Sequence, residues 1–109
     1  METPRRDWYC EDILSGKTEV KVIWEDPRVL AFYHPRPASR IHAVVIPKKH
    51  IASILDPAAV DGAILESMVR AVQEVAAYTG LDKPGFFVRA NAAAPDVTPH
   101  MHWHVRALD

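Results

Sequence analysis

Three histidines alternate with apolar residues near the end of the chain, at positions 100, 102 and 104. Residues two positions apart lie on the same face of a β-strand. The alternation therefore predicts a strand over 100–106 with the imidazoles of His100, His102 and His104 on one face. The intervening residues form an apolar face, made of Met101, Trp103 and Val105. Such a strand must pack its apolar face on a hydrophobic core, which leaves the histidine face for a chemical site.

Alternating polar and apolar residues also predict a first strand over 17–25, with Val20, Val22 and Trp24 on its buried face. A turn at 26–28 contains a proline that favours a reversal of the chain. The remaining short elements are predicted as a helix at 8–14 and strands at 29–33, 41–46 and 86–90.

A long helix is predicted over about residues 57–79, where apolar residues recur at steps of three and four. Asp56 is a favourable N-cap, Pro57 suits the first turn, and Gly80 can adopt the left-handed conformation that ends a helix. The order of a short helix, three strands, a long helix and two strands indicates an α+β fold. We expect an antiparallel sheet of about five strands with the long helix on one face.

The length of 109 residues suits a single domain, predicted to span 1–109 with a loose arm at 1–7. Thirteen basic and fourteen acidic residues leave a formal net charge of −1, so no overall positive field indicates a nucleic-acid partner. The apolar runs are far shorter than the roughly 18 residues that a membrane span needs. A single cysteine suits a reducing compartment. We therefore expect a cytoplasmic protein whose partners include neither nucleic acid nor a membrane.

A row of imidazoles supports two kinds of chemistry. The pKa of imidazole lies near neutrality, so one neutral ring can attack an electrophile while its neighbour donates a hydrogen bond to developing charge. Alternatively, the rings bind a metal ion together with ligands from elsewhere in the chain. The candidates for those further ligands are His34, His42, His50 and Cys10. A strand whose histidines are only hydrogen-bonded or solvated fits so regular a spacing less well.

Two of these upstream candidates have simpler explanations. His42 lies inside an apolar strand, which is typical of a packed, hydrogen-bonded core or interface residue. Cys10 has no basic residue close to it in the sequence, so we interpret it as a small buried hydrophobic residue rather than a nucleophile.

The run HMHWHV at 100–105 resembles the signature of the histidine triad (HIT) family, in which three histidines alternate with apolar residues. Upstream, VIWEDPRVLAF at 22–32 is similar to the first hairpin of that family, and HAVVIPKKH at 42–50 to its strand ending in Pro-Lys-x-His. Asn91 stands in the place of the family's asparagine before the triad. The resemblance covers about residues 8–106 and implies a HIT-like fold and a homodimer.

By this resemblance, His102 attacks the α-phosphorus of a nucleoside phosphoramidate or a dinucleoside polyphosphate. Water then hydrolyses the nucleotidyl-histidine to a nucleoside monophosphate. His104 and Asn91 would contact the phosphate oxygens, and His100 would orient its neighbours through hydrogen bonds. Imidazole, amide and backbone donors handle the charge, so the resemblance implies a hydrolase that needs no cofactor.

Two positions around the substrate depart from the family pattern. Many members have an acidic residue after the second strand that holds the ribose hydroxyls, where this chain has His34. The segment before the triad is often Gly-Gln-Ser-Val or Gln-Thr-Val-Pro in the family, whereas this chain has PDVTP at 95–99, in which Thr98 can offer a hydroxyl to the leaving group. One alternative function is therefore a purine-nucleotide binding module with little or no turnover. A second alternative is a tris-histidine metal enzyme.

One branch of the family binds a structural zinc ion through a Cys-x-x-Cys pair, the histidine of Pro-Lys-x-His and the first triad histidine. This chain has Asp7 and Cys10 at the spacing of the pair, and His50 and His100 at the other two positions. Because aspartate also ligates zinc, the resemblance implies a candidate structural zinc site made of these four residues.

Overall fold

A computed structural model describes residues 6–94 and 97–108. Most of the loose arm predicted at 1–7 therefore lies outside the described residues. The strands are β1 (Val22–Glu25), β2 (Val29–Tyr33), β3 (His42–Pro47), β4 (Phe86–Ala90) and β5 (Trp103–Ala107). They form one sheet in the order β1-β2-β3-β5-β4, and every neighbouring pair is antiparallel. With a short N-terminal helix (Tyr9–Leu14) and a long helix α1 (Gly62–Thr79), this confirms the predicted α+β architecture.

Two hydrophobic clusters cover the opposite faces of the sheet. The helix-side cluster packs the sheet against α1 and includes Met68, Val75 and Val105. The N-terminal cluster packs the N-terminal helix on the other face and includes Tyr9 and Phe32. Successive buried residues of β2 and β3 belong alternately to the two clusters, as expected for strands in the middle of a sheet covered on both sides.

The long helix begins later than the sequence predicts, because its first part is a separate 3-10 turn over Pro57–Val60. Asp61 is extended, with φ −63° and ψ 116°, and its carboxylate accepts two backbone N–H groups of the first turn of α1 at 3.0 and 3.1 Å. This N-cap divides the single helix expected over 57–79. The predicted end is confirmed by Gly80, which has a left-handed φ of 78°.

The first strand is shorter than predicted, and its side chains change faces midway. The pairing of β1 with β2 shifts register between Val22 and Trp24. Val20 contacts the N-terminal cluster, whereas Trp24 contacts the helix-side cluster. The prediction that Val20, Val22 and Trp24 share one buried face is therefore wrong. A register irregularity turns the side chains that follow it to the other face of the sheet.

The last strand, β5, begins at Trp103 rather than at 100. Before it, the N–H of Met101 donates to the carbonyl oxygen of Ile51 at 2.6 Å, outside the sheet ladder. The predicted alternation nevertheless continues through this segment, because Met101, Trp103 and Val105 all pack in the helix-side cluster. The triad histidines therefore lie away from α1. Within the described residues, no helix is long and apolar enough to cross a bilayer.

Candidate active site

An open cavity of about 450 Å³ on the sheet face away from α1 brings together most of the predicted site residues. We call it the triad cavity. Five of the six predicted residues line it: His34, Asn91, Thr98, His102 and His104. The sixth, His100, is fully buried and belongs to a separate group of side chains.

His102 is 5% exposed, and neighbouring groups hold its ring in place. Its Nδ1–H donates to the carbonyl oxygen of His100 at 2.6 Å. Because a carbonyl oxygen only accepts, the proton of the neutral ring lies on Nδ1 and the lone pair lies on Nε2. The ring of Tyr9 packs beside it, with the two ring centroids 4.9 Å apart. Nε2 is therefore the nucleophilic atom of His102.

His104 is fixed by a residue outside the triad. The N–H of Ala38 donates to Nδ1 of His42 at 3.0 Å, so the proton of neutral His42 lies on Nε2. That Nε2 atom donates to Nδ1 of His104 at 2.8 Å. The proton of neutral His104 is thereby placed on its own Nε2, from which it can donate to an anion in the triad cavity.

The surroundings of His42 and His104 keep the two imidazole rings neutral near pH 7. Burial, with the neighbouring charges of His34 and Arg106, lowers the pKa of His42 to about 4. Burial also lowers the pKa of His104 to about 3, with a further contribution from His102. His104 therefore acts as a neutral N–H donor rather than as an imidazolium.

His34 follows β2 and stacks on His42, with ring centroids 4.5 Å apart and planes inclined by 19°. The N–H of Arg36 donates to Nδ1 of His34 at 2.9 Å, which leaves the proton of the neutral ring on Nε2. Burial and the charges of His102 and Arg36 hold the pKa of His34 below its usual range. His34 thus offers a neutral N–H donor, where a carboxylate would offer only acceptors.

The end of β4 and the segment before β5 complete the triad cavity. Arg89 is the cross-strand partner of His104, and its Nε–H donates to Oδ1 of Asn91 at 3.1 Å. This bond uses the side-chain oxygen of Asn91 and leaves its NH₂ group as a donor. Thr98 also lines this cavity.

The ring of His100 lies in a separate group with Asp7, Cys10 and His50. Its Nε2–H donates to the carbonyl oxygen of Pro47 at 2.8 Å, so the lone pair of the neutral ring lies on Nδ1. That Nδ1 lies 3.1 Å from Oδ2 of Asp7 and 3.2 Å from Sγ of Cys10. Nδ1 of His50 lies 2.6 Å from the same carboxylate oxygen and 3.7 Å from the same sulfur.

The structure corrects the expectation for Cys10. Cys10 is half-buried among polar side chains rather than a hydrophobic core residue, and burial together with its hydrogen bond to Asp7 raises the pKa of its thiol to about 11. In the part of the chain that the structure describes, no set of metal-ligating atoms includes His102 or His104. The geometry therefore does not support a tris-histidine metal enzyme. The carbonyl oxygen of His100 contacts His102, and the ring of His100 lies with Asp7, Cys10 and His50.

Sequence reasoning missed the roles of His42 and Tyr9. His42 is buried and hydrogen-bonded, as predicted, but it also holds His104. Strand periodicity could have revealed this role once the pairing of the two strands was known. Val44 is the strand partner of His104, and His42, two positions before Val44, lies on the same face of the sheet. Tyr9 gave no such signal, since its contact with His102 depends on how the N-terminal helix packs on the sheet.

The family model that describes the HIT domain matches residues 15–109 of this chain. The chain belongs to the HIT family. A HIT-like protein of Helicobacter pylori is 30% identical to it over 101 residues, which are 91% of this chain and 94% of that relative. A HIT-like protein of Synechococcus elongatus is 30% identical over 102 residues, which are 87% of this chain and 89% of that relative.

Solved structures of HIT proteins have the same fold. A HIT family hydrolase from Legionella pneumophila superposes with a TM-score of 0.82 and 30% identity, covering 93% of this chain and 91% of that one. A histidine triad protein from Clostridium difficile gives a TM-score of 0.83 and 30% identity, covering 100% of this chain and 95% of that one. The HIT-like fold predicted from the sequence is therefore confirmed.

Proposed function

We propose that this HIT protein is a nucleotide hydrolase that acts at the α-phosphorus of a nucleoside phosphoramidate or a dinucleoside polyphosphate. The hydrogen bond from Nδ1–H of His102 to the carbonyl oxygen of His100 carries the proposal, because it makes Nε2 the nucleophilic atom. The similar Legionella pneumophila structure, described as a HIT family hydrolase, supports hydrolysis as the class of reaction.

In the first step, the lone pair of Nε2 of His102 forms a bond to phosphorus. The leaving group departs with the electron pair of its own bond to phosphorus and takes a proton from solvent. Thr98, which lines the triad cavity, offers its hydroxyl to the leaving group. The N–H of His104 and the NH₂ group of Asn91 donate to the phosphate oxygens as charge develops. Water then attacks phosphorus and loses a proton to solvent, and the electron pair of the P–N bond returns to His102, which yields a nucleoside monophosphate.

Release of AMP from adenosine 5′-phosphoramidate, and separately from a diadenosine polyphosphate, tests this function. The wild type is expected to turn over at least one of the two compounds. His102→Ala is expected to lose about 1,000-fold or more in kcat, because it removes the nucleophile. Arg70→Ala, an exposed change on α1, is the matched control and should retain full activity. Unchanged turnover in His102→Ala would overturn the proposal.

A nucleotide-binding module without turnover is the alternative function. One observation favours it: His34 lines the triad cavity where the family resemblance implies an acidic contact to ribose. Calorimetric titration with AMP separates the two functions. Equal AMP affinity in the wild type and in His102→Ala, with no turnover in either, would favour the binding module.

We also propose that Asp7, Cys10, His50 and His100 hold a structural zinc ion. A tetrahedral zinc ion bonds nitrogen and oxygen at about 2.0 Å and sulfur at about 2.3 Å, so its ligand atoms lie about 3.3–3.6 Å apart. The four contacts measured in this group range from 2.6 to 3.7 Å, and all four ligand atoms lie within 4.8 Å of one another. The donor set therefore fits zinc.

A further hydrogen bond supports the same site. The bond from Nε2–H of His100 to Pro47 leaves the lone pair of Nδ1 towards Asp7 and Cys10, the arrangement typical of metal-bound histidine. A zinc ion there would fasten the start of the N-terminal helix to the sheet, and the steps of hydrolysis do not involve it.

Metal analysis of protein purified without added zinc tests the site. We expect about one equivalent of zinc, and a lower melting temperature after chelation, because metal binding stabilises only the folded chain. Cys10→Ala should lose the metal, whereas Ser15→Ala, an exposed change outside the ligand set, should keep it. Less than about a tenth of an equivalent in the wild type would contradict the zinc site.

We propose, finally, that the protein forms a homodimer, as the family resemblance implies. The strand β4 is an edge of the sheet, and its residue Val88 is 44% exposed. A second copy can cover the unpaired backbone groups of such an edge. Light scattering should give about twice the chain mass of 12.2 kDa. A mass equal to that of one chain would contradict the dimer.

A further inference from the structure

A second cavity, of about 530 Å³, adjoins the triad cavity. We call it the outer cavity. The two cavities share Tyr9, His34 and Thr98 in their linings, and the outer cavity adds Trp8 and Arg36. A substrate with its reacting phosphorus at His102 therefore has room for the rest of the molecule between the Trp8 side chain and the loop after β2.

The charged and N–H groups of the outer cavity are suited to an anion. Arg36 is exposed, and within the described residues its guanidinium forms no ion pair. The backbone of Arg36 holds the proton of His34 on Nε2. Arg6 also lines this cavity, but it is paired with Glu11 and Asp12. Arg36 is thus the arginine of the outer cavity whose charge is not already neutralised.

The linings of the two cavities, as far as the structure describes them, contain no carboxylate. Sugar hydroxyl groups carry protons to donate, and a carboxylate is the side chain that accepts from two of them at once. A phosphate group has only acceptor oxygens, and guanidinium binds it through two parallel N–H groups. The N–H of His34 and the guanidinium of Arg36 therefore match a phosphate better than a pair of hydroxyls.

We propose that the outer cavity binds a second phosphate group of the substrate through Arg36 and His34. This inference rests on the proposed function, because it places the reacting phosphate at His102. Each cavity then has an arginine for one phosphate, since Arg89 lines the triad cavity beside His104. The substrate class is a nucleotide derivative whose second phosphate is either an ester on the sugar or the next group of a polyphosphate chain.

Calorimetric titration of the wild-type protein with four stable nucleotides distinguishes these two sources. The probes are AMP, ADP, adenosine 2′,5′-bisphosphate and adenosine 3′,5′-bisphosphate. At least one of the last three is expected to bind about 10-fold more tightly than AMP, the typical effect of a hydrogen-bonded charge pair. Tighter binding of a bisphosphate assigns the second phosphate to the sugar, and tighter binding of ADP assigns it to a polyphosphate chain. Equal or weaker binding of all three, or no binding of any probe, overturns the inference.

Arg36→Ala tests the assignment of residues. This variant should reduce the affinity ratio between the preferred probe and AMP to about one, whereas Arg70→Ala, which removes an exposed arginine on α1, should leave the ratio unchanged. A ratio that survives in Arg36→Ala overturns the role of Arg36. The readout is binding, so it stays separate from the test of catalysis. If the protein prefers probes with two phosphates but hydrolyses neither compound of the activity test, the result contradicts hydrolysis and still supports a second phosphate site.

Discussion

Nε2 of His42 lies 2.8 Å from Nδ1 of His104, and this contact links the first residue of β3 to the second residue of β5. The N–H of Ala38 donates to the opposite nitrogen of His42. A backbone donor, whose proton cannot move, thus determines through two rings where the proton of His104 lies. His42 is accordingly a positioning residue for a donor in the triad cavity.

Replacing His42 should therefore affect catalysis more than binding. We expect His42→Leu to lower kcat about 10- to 100-fold, because His104 loses the partner that fixes its tautomer, with KM changed by less than about 3-fold. His42→Gln, which retains a side-chain N–H, should recover part of the loss. Steady-state kinetics on the preferred substrate would measure both variants. An increase in KM at constant kcat would contradict a positioning role.

The low pKa values of His42 and His104 predict that stability falls in mild acid. In the unfolded chain both imidazoles titrate near 6.5, whereas in the folded chain their pKa values are about 4 and about 3. Between those values the unfolded state binds more protons, so the free energy of unfolding decreases as the pH falls from 6.5 towards 4. Urea denaturation at several pH values should show this decrease, with a smaller slope in His42→Leu. Parallel slopes in the two proteins would argue against the low pKa of His42.

Asp61 should contribute measurably to the start of α1. Its carboxylate accepts two backbone N–H groups that have no partner within the helix. Asp61→Ala is expected to lower the free energy of unfolding by about 1 kcal/mol, and Asp61→Asn, which keeps a capping oxygen, should change it much less. Chemical denaturation of the three proteins measures the difference. Equal stability of Asp61→Ala and the wild type would show that the cap contributes nothing.

Two glycines that bracket α1 offer a matched pair of substitutions. A Cβ atom would meet no atom within 4 Å at either Gly62 or Gly80, so sterics with neighbours do not distinguish them. The backbone conformation does distinguish the two glycines, because Gly80 has a φ of +78°. Gly80→Ala should destabilise the protein by about 1 kcal/mol, whereas Gly62→Ala should be neutral or stabilising by up to about 1 kcal/mol. Thermal unfolding would measure both, and a destabilisation of the same size at the two positions would contradict the conformational argument.

The sequence was sufficient to predict the faces of the last strand. Met101, Trp103 and Val105 pack towards α1, and the alternation requires the histidines to lie on the other face. The sequence also correctly located the end of α1 at Gly80, since few other residues adopt a left-handed φ without strain. These features follow from backbone geometry over a few neighbouring residues. The roles assigned to His102, His104 and Asn91 stay predictions that kinetic experiments must test.

Features that depend on distant residues were not predictable in this way. Asp56 and Asp61 are both good N-caps, and only the packed structure shows that α1 starts after the second. The irregularity in β1 depends on its pairing with β2, because an isolated strand gives no information about register. Cys10 has two histidine partners, but these residues, His50 and His100, lie 40 and 90 positions away in the chain.

Local sequence patterns were sufficient to predict the fold class, the two faces of residues 100–105 and the histidines available for chemistry. Periodicity and turn residues encode these features locally, because they act through neighbouring backbone dihedral angles. The different positions of the three triad histidines depend instead on how distant segments pack together. This packing places His102 and His104 in the triad cavity and the ring of His100 beside Asp7 and Cys10. Hydrogen bonds from three different segments, at Ala38, Pro47 and the carbonyl of His100, determine the proton positions, and sheet pairing and core packing bring those segments together.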